Sequence, residues 1–101
     1  MSILTLTVNP ALDKSTTVER VVPDQKLRCA NPRYDAGGGG INVSRVLRRL
    51  GANPMTIFQS SGPAGKMIEQ LLSGEEVNFT TYQTAEWTRE NLVVVDQSTN
   101  Q

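Results

Sequence analysis

The chain has 101 residues, with ten Lys and Arg against ten Asp and Glu, one cysteine and no histidine. Balanced charge argues against a surface built to attract nucleic acid or anionic membrane, and no apolar run reaches the roughly 18 residues that a membrane span needs. Histidine-based triads are excluded, and Cys29 alone forms neither an internal disulfide nor a zinc site, so a reducing cytoplasm is the expected compartment and the chemistry falls to carboxylates, Lys/Arg and backbone.

Residues 3–9 are rich in β-branched side chains and predict a strand buried on at least one face, ended by Asn9 and Pro10. Residues 15–22 predict a second, half-polar strand. Pro23 and Asp24 predict a turn, and residues 26–34 a loop or short edge strand interrupted by Pro32. A helix is predicted over 41–50, because Val43, Val46, Leu47 and Leu50 recur at i, i+3, i+4 and i+7. Ser44, Arg45, Arg48 and Arg49 take its other side, read as a solvated face near the negative end of the dipole, and Gly51 supplies the stop.

Residues 55–59 predict a strand. Ser61 and Pro63 open a second helix, with Met67, Ile68, Leu71 and Leu72 as its apolar stripe and Gly74 as its stop. Strands follow at 77–82 and 91–95. Alternating strands and helices imply an α/β fold with a parallel sheet. Three core strands and two helices leave one sheet face poorly covered, and the last strand enters a polar turn with no return partner. The chain therefore reads as the first part of a larger protein.

The most informative stretch is Gly37, Gly38, Gly39, Gly40, Ile41, Asn42 and Val43. Glycines let a ligand approach the main chain closely, and the helix behind them points unpaired N–H groups and partial positive charge at whatever sits there. That suits a polar, anionic small molecule; a flexible linker is the other reading. A dinucleotide fingerprint fails, since the third glycine position falls on Asn42 or Val43 and residues 57–63 contain no acid. Gly62 to Met67 is too short for a phosphate-binding P-loop, and Met67 stands where Ser or Thr should bind magnesium.

Four ordered motifs carry a resemblance: Leu4 to Asp13, Lys26 to Cys29, Gly37 to Val43, and Glu86 to Leu92. At these spacings, and over essentially the whole chain, the sequence resembles the PfkB (ribokinase-like) carbohydrate kinases. Within them it is most similar to the isozyme-2 type of 6-phosphofructokinase, because Gly39 stands where relatives acting on fructose 1-phosphate or tagatose 6-phosphate carry lysine. The resemblance implies a ribokinase-like three-layer α/β/α fold with a small β-lid, present here only in its N-terminal part. It implies a phosphotransferase with an alcohol acceptor, using ATP and Mg2+ to phosphorylate fructose 6-phosphate in glycolysis, with tagatose 6-phosphate or fructose 1-phosphate as the alternative substrates.

Carried over by position, Asp13 resembles the aspartate that accepts sugar hydroxyls, placed at the end of the first strand. A turn aspartate after Pro10 is the alternative. Gly38 and Gly39 resemble the pair that lets the sugar ring lie against the backbone. Asn42 resembles the amide that contacts sugar oxygens, and it also suits a helix cap. Lys26, Arg28 and Arg89 look like the basic residues around the phosphate, which favours several charge-assisted donors. Trp87 reads as a packing residue that steadies Arg89.

The family's late Gly-Ala-Gly-Asp motif, whose aspartate is the catalytic base, has no counterpart in this sequence. Residues 1–101 are therefore expected to be the substrate-binding portion without the nucleotide-binding half, to hold no catalytic or metal-binding residue, and to be inactive alone. A stand-alone sugar-phosphate-binding module and a truncated chain that folds only by strand-mediated dimerisation are the competing readings. The polar strands near 15–35 and 91–96 are expected to form the lid. The resemblance implies pairing of such lids in a homodimer.

Overall fold

The computed structural model describes residues 2–20 and 31–98. Eight elements follow one another: β1 (Leu4–Thr7), β2 (Ala11–Val18), β3 (Arg33–Gly37), α1 (Gly39–Arg49), β4 (Met55–Gln59), α2 (Gly62–Gly74), β5 (Phe79–Tyr82) and β6 (Arg89–Asp96). The α/β class is as expected. β1, β4 and β5 form a parallel sheet in the order β1-β4-β5, with Leu6 opposite Ile57 and Phe58 opposite Thr81.

The other three strands form a separate sheet, in the order β3-β2-β6. In it β2 runs antiparallel to β3 and parallel to β6. β2 begins four residues before the expected strand and ends at Val18, because its ladder to two neighbours draws polar Asp13 and Lys14 into extended backbone. The expected turn at Pro23 and Asp24 lies outside the described residues.

The core gathers at one side of the parallel sheet. Phe58 of β4, Ile41 of α1, Ile68 and Leu72 of α2, and Leu12 and Ala36 of the second sheet pack into one buried cluster. Met67 and Leu71 flank it, so α2 buries the stripe its periodicity announced. Phe58 also meets Phe79 at a centroid separation of 5.6 Å, within the favourable range for a tilted pair. α2 runs through Gly74, and the left-handed position after it is taken by Glu76, at φ 59°. Gly51, at φ 93°, does end α1 as expected.

α1 faces the other way from its expected orientation. Val43, Val46 and Leu50 are exposed, while Ile41 and Ser44 are fully buried. The cause is close packing on β1, where the Ser44 hydroxyl lies 2.7 Å from that of Thr5 and a larger side chain would not fit so near the strand. The uncovered sheet face is apolar as well: Leu4 and Leu6 of β1 and Met55 of β4 stand exposed. Periodicity identified the most apolar face of α1 but not the neighbour against which it sits.

Arg49 of α1 is exposed as expected, but Arg45 and Arg48 are tied to neighbouring elements. Arg45 donates to both carboxylate oxygens of Glu75 at 2.6 Å and to the carbonyl of Ala36 at 3.0 Å. Arg48 donates to the carbonyl of Glu76 at 3.0 Å. Two helix ends and β3 are thereby tied together. The bidentate bond to Glu75 outweighs desolvation and raises the Arg45 pKa above its ordinary value, so the cation persists at any working pH. Glu75→Ala should destabilise the fold by about 1 kcal/mol, since the pair is partly exposed. Urea denaturation with an unchanged midpoint would show that the pair contributes nothing.

Candidate functional site

β1 ends at Thr7, and the start of α1 sits on that residue. The Thr7 hydroxyl accepts the Ile41 N–H at 3.2 Å, which satisfies one of the amides left without a partner in the first helical turn. A Cβ on Gly40 would lie 2.5 Å from the Thr7 hydroxyl oxygen, and one on Gly38 would lie 2.6 Å from its methyl. Gly38 also holds φ 140°, which side chains other than glycine rarely adopt. A Cβ on Gly39 would meet nothing within 4 Å. The run thus divides its work: Gly38 and Gly40 allow close packing, and Gly39 leaves the backbone open.

The helix starts at Gly39, two residues before its expected beginning, with Gly38 as N-cap and no side chain capping it. Asn42 is therefore not the cap; its N–H donates to the Gly38 carbonyl at 2.9 Å. Its side chain borders an open cleft with Arg33, Asp35, Arg45 and Arg49.

Asp13 lies within β2, not at the end of the first strand, opposite Asn91 of β6 and Asp35 of β3. The Asn91 side-chain amide donates to its carboxylate at 3.0 Å. A Cβ on Gly37 would come within 2.5 Å of its other oxygen, so the missing side chain there gives the carboxylate its room. By register, Asp13, Asn91 and Arg89 share one face of the second sheet.

Arg89, the first residue of β6, lines a cleft of about 410 Å³ with Val8, Asn9, Gln59, Glu86 and Trp87. Val8 and Asn9 follow β1, and Gln59 ends β4, so the cleft opens at the carboxyl ends of two parallel strands. Ligands of open α/β sheets bind at such ends. A larger cleft of about 720 Å³, lined by Arg48, Asn53, Ser73 and Asn78 among others, lies at the opposite, amino ends of β4 and β5 and holds none of the expected site residues. Among the described residues, no carboxylate forms a salt bridge with Arg89. Trp87 is 73% exposed, and its ring lies where a Cβ on Gly62 would approach to 2.7 Å. Lys26 and Arg28 fall outside the described residues.

Residues 7–101 match the model of the pfkB family carbohydrate kinases. The chain belongs to that family. It is 44% identical over 97 residues to the ATP-dependent 6-phosphofructokinase isozyme 2 of Mycobacterium tuberculosis, covering 96% of this chain and 29% of that protein. It is 42% identical over 92 residues to the enzyme of the same name from Escherichia coli K12, covering 91% and 30%. The crystal structure of phosphofructokinase-2 from Escherichia coli in complex with fructose-6-phosphate superposes with a TM-score of 0.86 at 39% identity, covering 99% of this chain and 33% of that one. The chain thus spans about a third of the length of the pfkB relatives it matches.

Sequence reasoning missed Thr7, Gln59 and Asn91. Thr7 and Gln59 had a signal in being polar residues at the carboxyl ends of strands predicted to be buried, and Asn91 lay inside the fourth motif. Gly39→Ala should fold with a melting temperature near that of the unaltered chain. Gly38→Ala should lose roughly 2 kcal/mol or more through backbone strain and collision with Thr7. Thermal melts that rank the two alike would refute this division of the glycines.

Proposed function

We propose that this chain is the sugar-phosphate-binding part of an ATP-dependent 6-phosphofructokinase, an enzyme that converts fructose 6-phosphate to fructose 1,6-bisphosphate in glycolysis. The observation that carries the reading is Arg89, an arginine without a carboxylate partner among the described residues, in a cleft at the carboxyl ends of β1 and β4. A guanidinium there can hold a phosphate with two charge-assisted hydrogen bonds. The names of the two 6-phosphofructokinase relatives reported above support that substrate.

On this reading each element has a part. Asp13, oriented by Asn91, accepts sugar hydroxyls. The open backbone at Gly39 receives the ring, with Gly38 shaping the turn and Asn42 adding an amide from the first turn of α1. Lys26 and Arg28 join Arg89 around the phosphate. Nucleotide and magnesium belong to groups outside residues 1–101. Among the described residues there is no set of three acidic, histidine or cysteine side chains, and no step is derived through the ion. No residue of the chain stands in the family's Gly-Ala-Gly-Asp context, so none is assigned the base. The work of this part is to bind and orient.

Calorimetric titration of the 101-residue protein tests the roles. Arg89→Ala should weaken fructose 6-phosphate about ten- to a hundred-fold while barely changing fructose. Asp13→Ala should weaken both alike, because the hydroxyls are common to the two sugars. Equal losses for both sugars in Arg89→Ala, with the fold intact, would remove Arg89 from the phosphate site.

The second sheet supports a homodimer through its outer strand. Leu92 and Val94 lie on one face of β6 and are both exposed, an apolar surface at a sheet edge that the same strand of a second copy could cover. Leu92→Asp combined with Val94→Asp should convert a sedimenting dimer to monomer. An unaltered chain that sediments as a monomer at all concentrations would contradict the pairing.

A further inference from the structure

Between the end of β4 and the start of β6 lies a buried polar cluster that the proposed binding chemistry does not use. Gln59, Ser61 and Thr88 are each less than a tenth exposed. The Gln59 amide donates to the Thr84 hydroxyl at 2.9 Å and to the Glu86 carbonyl at 3.0 Å, and its oxygen accepts the Thr88 hydroxyl at 2.8 Å. The Thr88 hydroxyl in turn accepts the Ser61 N–H at 2.9 Å, and the Thr88 N–H donates to the Ser61 carbonyl at 3.0 Å. The Ser61 hydroxyl accepts the Thr84 N–H at 3.0 Å.

Both amide hydrogens and the oxygen of Gln59 are used, and the Thr88 hydroxyl both donates and accepts. A buried network satisfied in this way has one arrangement and is costly to rearrange. It fixes the connection from β5 to β6, an otherwise exposed run of residues 83–87, to the carboxyl end of β4. The residue that follows Thr88 in the chain is Arg89.

We propose that Gln59 and Thr88 are positioning residues that set the direction of the Arg89 guanidinium in the sugar-phosphate cleft. The inference rests on the sugar-phosphate reading given above. Neither residue needs to touch the ligand. An arginine has several rotatable bonds, and anchoring the backbone of Thr88 fixes where the Arg89 side chain starts, which removes part of the ordering cost that binding would otherwise bear. Trp87, laid over Gly62 on the other side of Thr88, restricts the same segment.

The test uses the 101-residue protein, titrated with fructose 6-phosphate and with fructose. Thr88→Val keeps shape and removes the hydroxyl; it should weaken fructose 6-phosphate about ten-fold and leave fructose unchanged. Thr88→Ser should restore the unaltered affinity. Gln59→Leu, which opens the clamp from the opposite strand, should repeat the Thr88→Val pattern. Thr88→Val in the Arg89→Ala background should cause no further loss, because a residue acting through Arg89 has nothing left to act on. Unaltered phosphate-sugar affinity in both single variants would overturn the positioning role alone, as would losses that add fully to that of Arg89→Ala or fall equally on fructose. Failure of the unaltered protein to bind fructose 6-phosphate would overturn the sugar-phosphate reading, and this inference with it.

Discussion

The architecture depends on how closely the start of α1 approaches the end of β1. Thr7 accepts a helix N–H through its hydroxyl, and the same side chain leaves no space for a Cβ on Gly38 or Gly40. A strand end and a helix start are held in contact, so the chain must leave for β2 and β3 and return at one place. The second sheet is thereby set at the carboxyl end of the first, and Asp13 comes to lie over Gly37. A bulkier residue at either glycine would lift the helix, and Ser44 would lose the hydroxyl of Thr5 with it. Local steric demand and the position of the proposed site are one constraint.

A second tie acts from the other side. Where Thr7 joins β1 to α1 by a single hydroxyl, the Gln59 and Thr88 cluster joins β4 to β6 by a closed set of hydrogen bonds. Both ties lie at the carboxyl ends of the parallel strands. The two helices are braced at their far ends instead, by Arg45 and Arg48 on Glu75 and Glu76. The cleft at the carboxyl ends is therefore bordered by fixed backbone on two sides, which lets a binding surface keep its shape without a ligand. Pre-organisation of this kind spends little of the binding energy on ordering.

Much of this was legible in the sequence, and the misses have physical causes. The order of elements, the parallel sheet, the apolar stripe of α2 and the family all followed from periodicity and from four motifs. The inner face of α1 did not, because periodicity measures apolarity and the tight seat on β1 selected Ser44 over Val43 and Val46. The ties of Arg45 and Arg48 are invisible to periodicity, because their partners Glu75 and Glu76 lie about 28 to 30 positions away in the chain. Asn42 suits a cap only for a helix that begins after it; with α1 starting at Gly39 the cap is Gly38, and Asn42 lies in the first turn. The role of Gln59 needs its partners at 84, 86 and 88, which no local pattern shows.

The central claim is that the cleft between Asn9, Gln59 and Arg89 receives a phosphorylated sugar. Backbone amide shift mapping of the 101-residue protein during titration with fructose 6-phosphate tests it most directly. Saturable shifts at Gly39, Arg89, Asn91 and Asp13, with little change at Asn53, Ser73 and Asn78, are the result this account predicts. Shifts centred on the cleft at the amino ends of β4 and β5, or none at millimolar ligand, would contradict it.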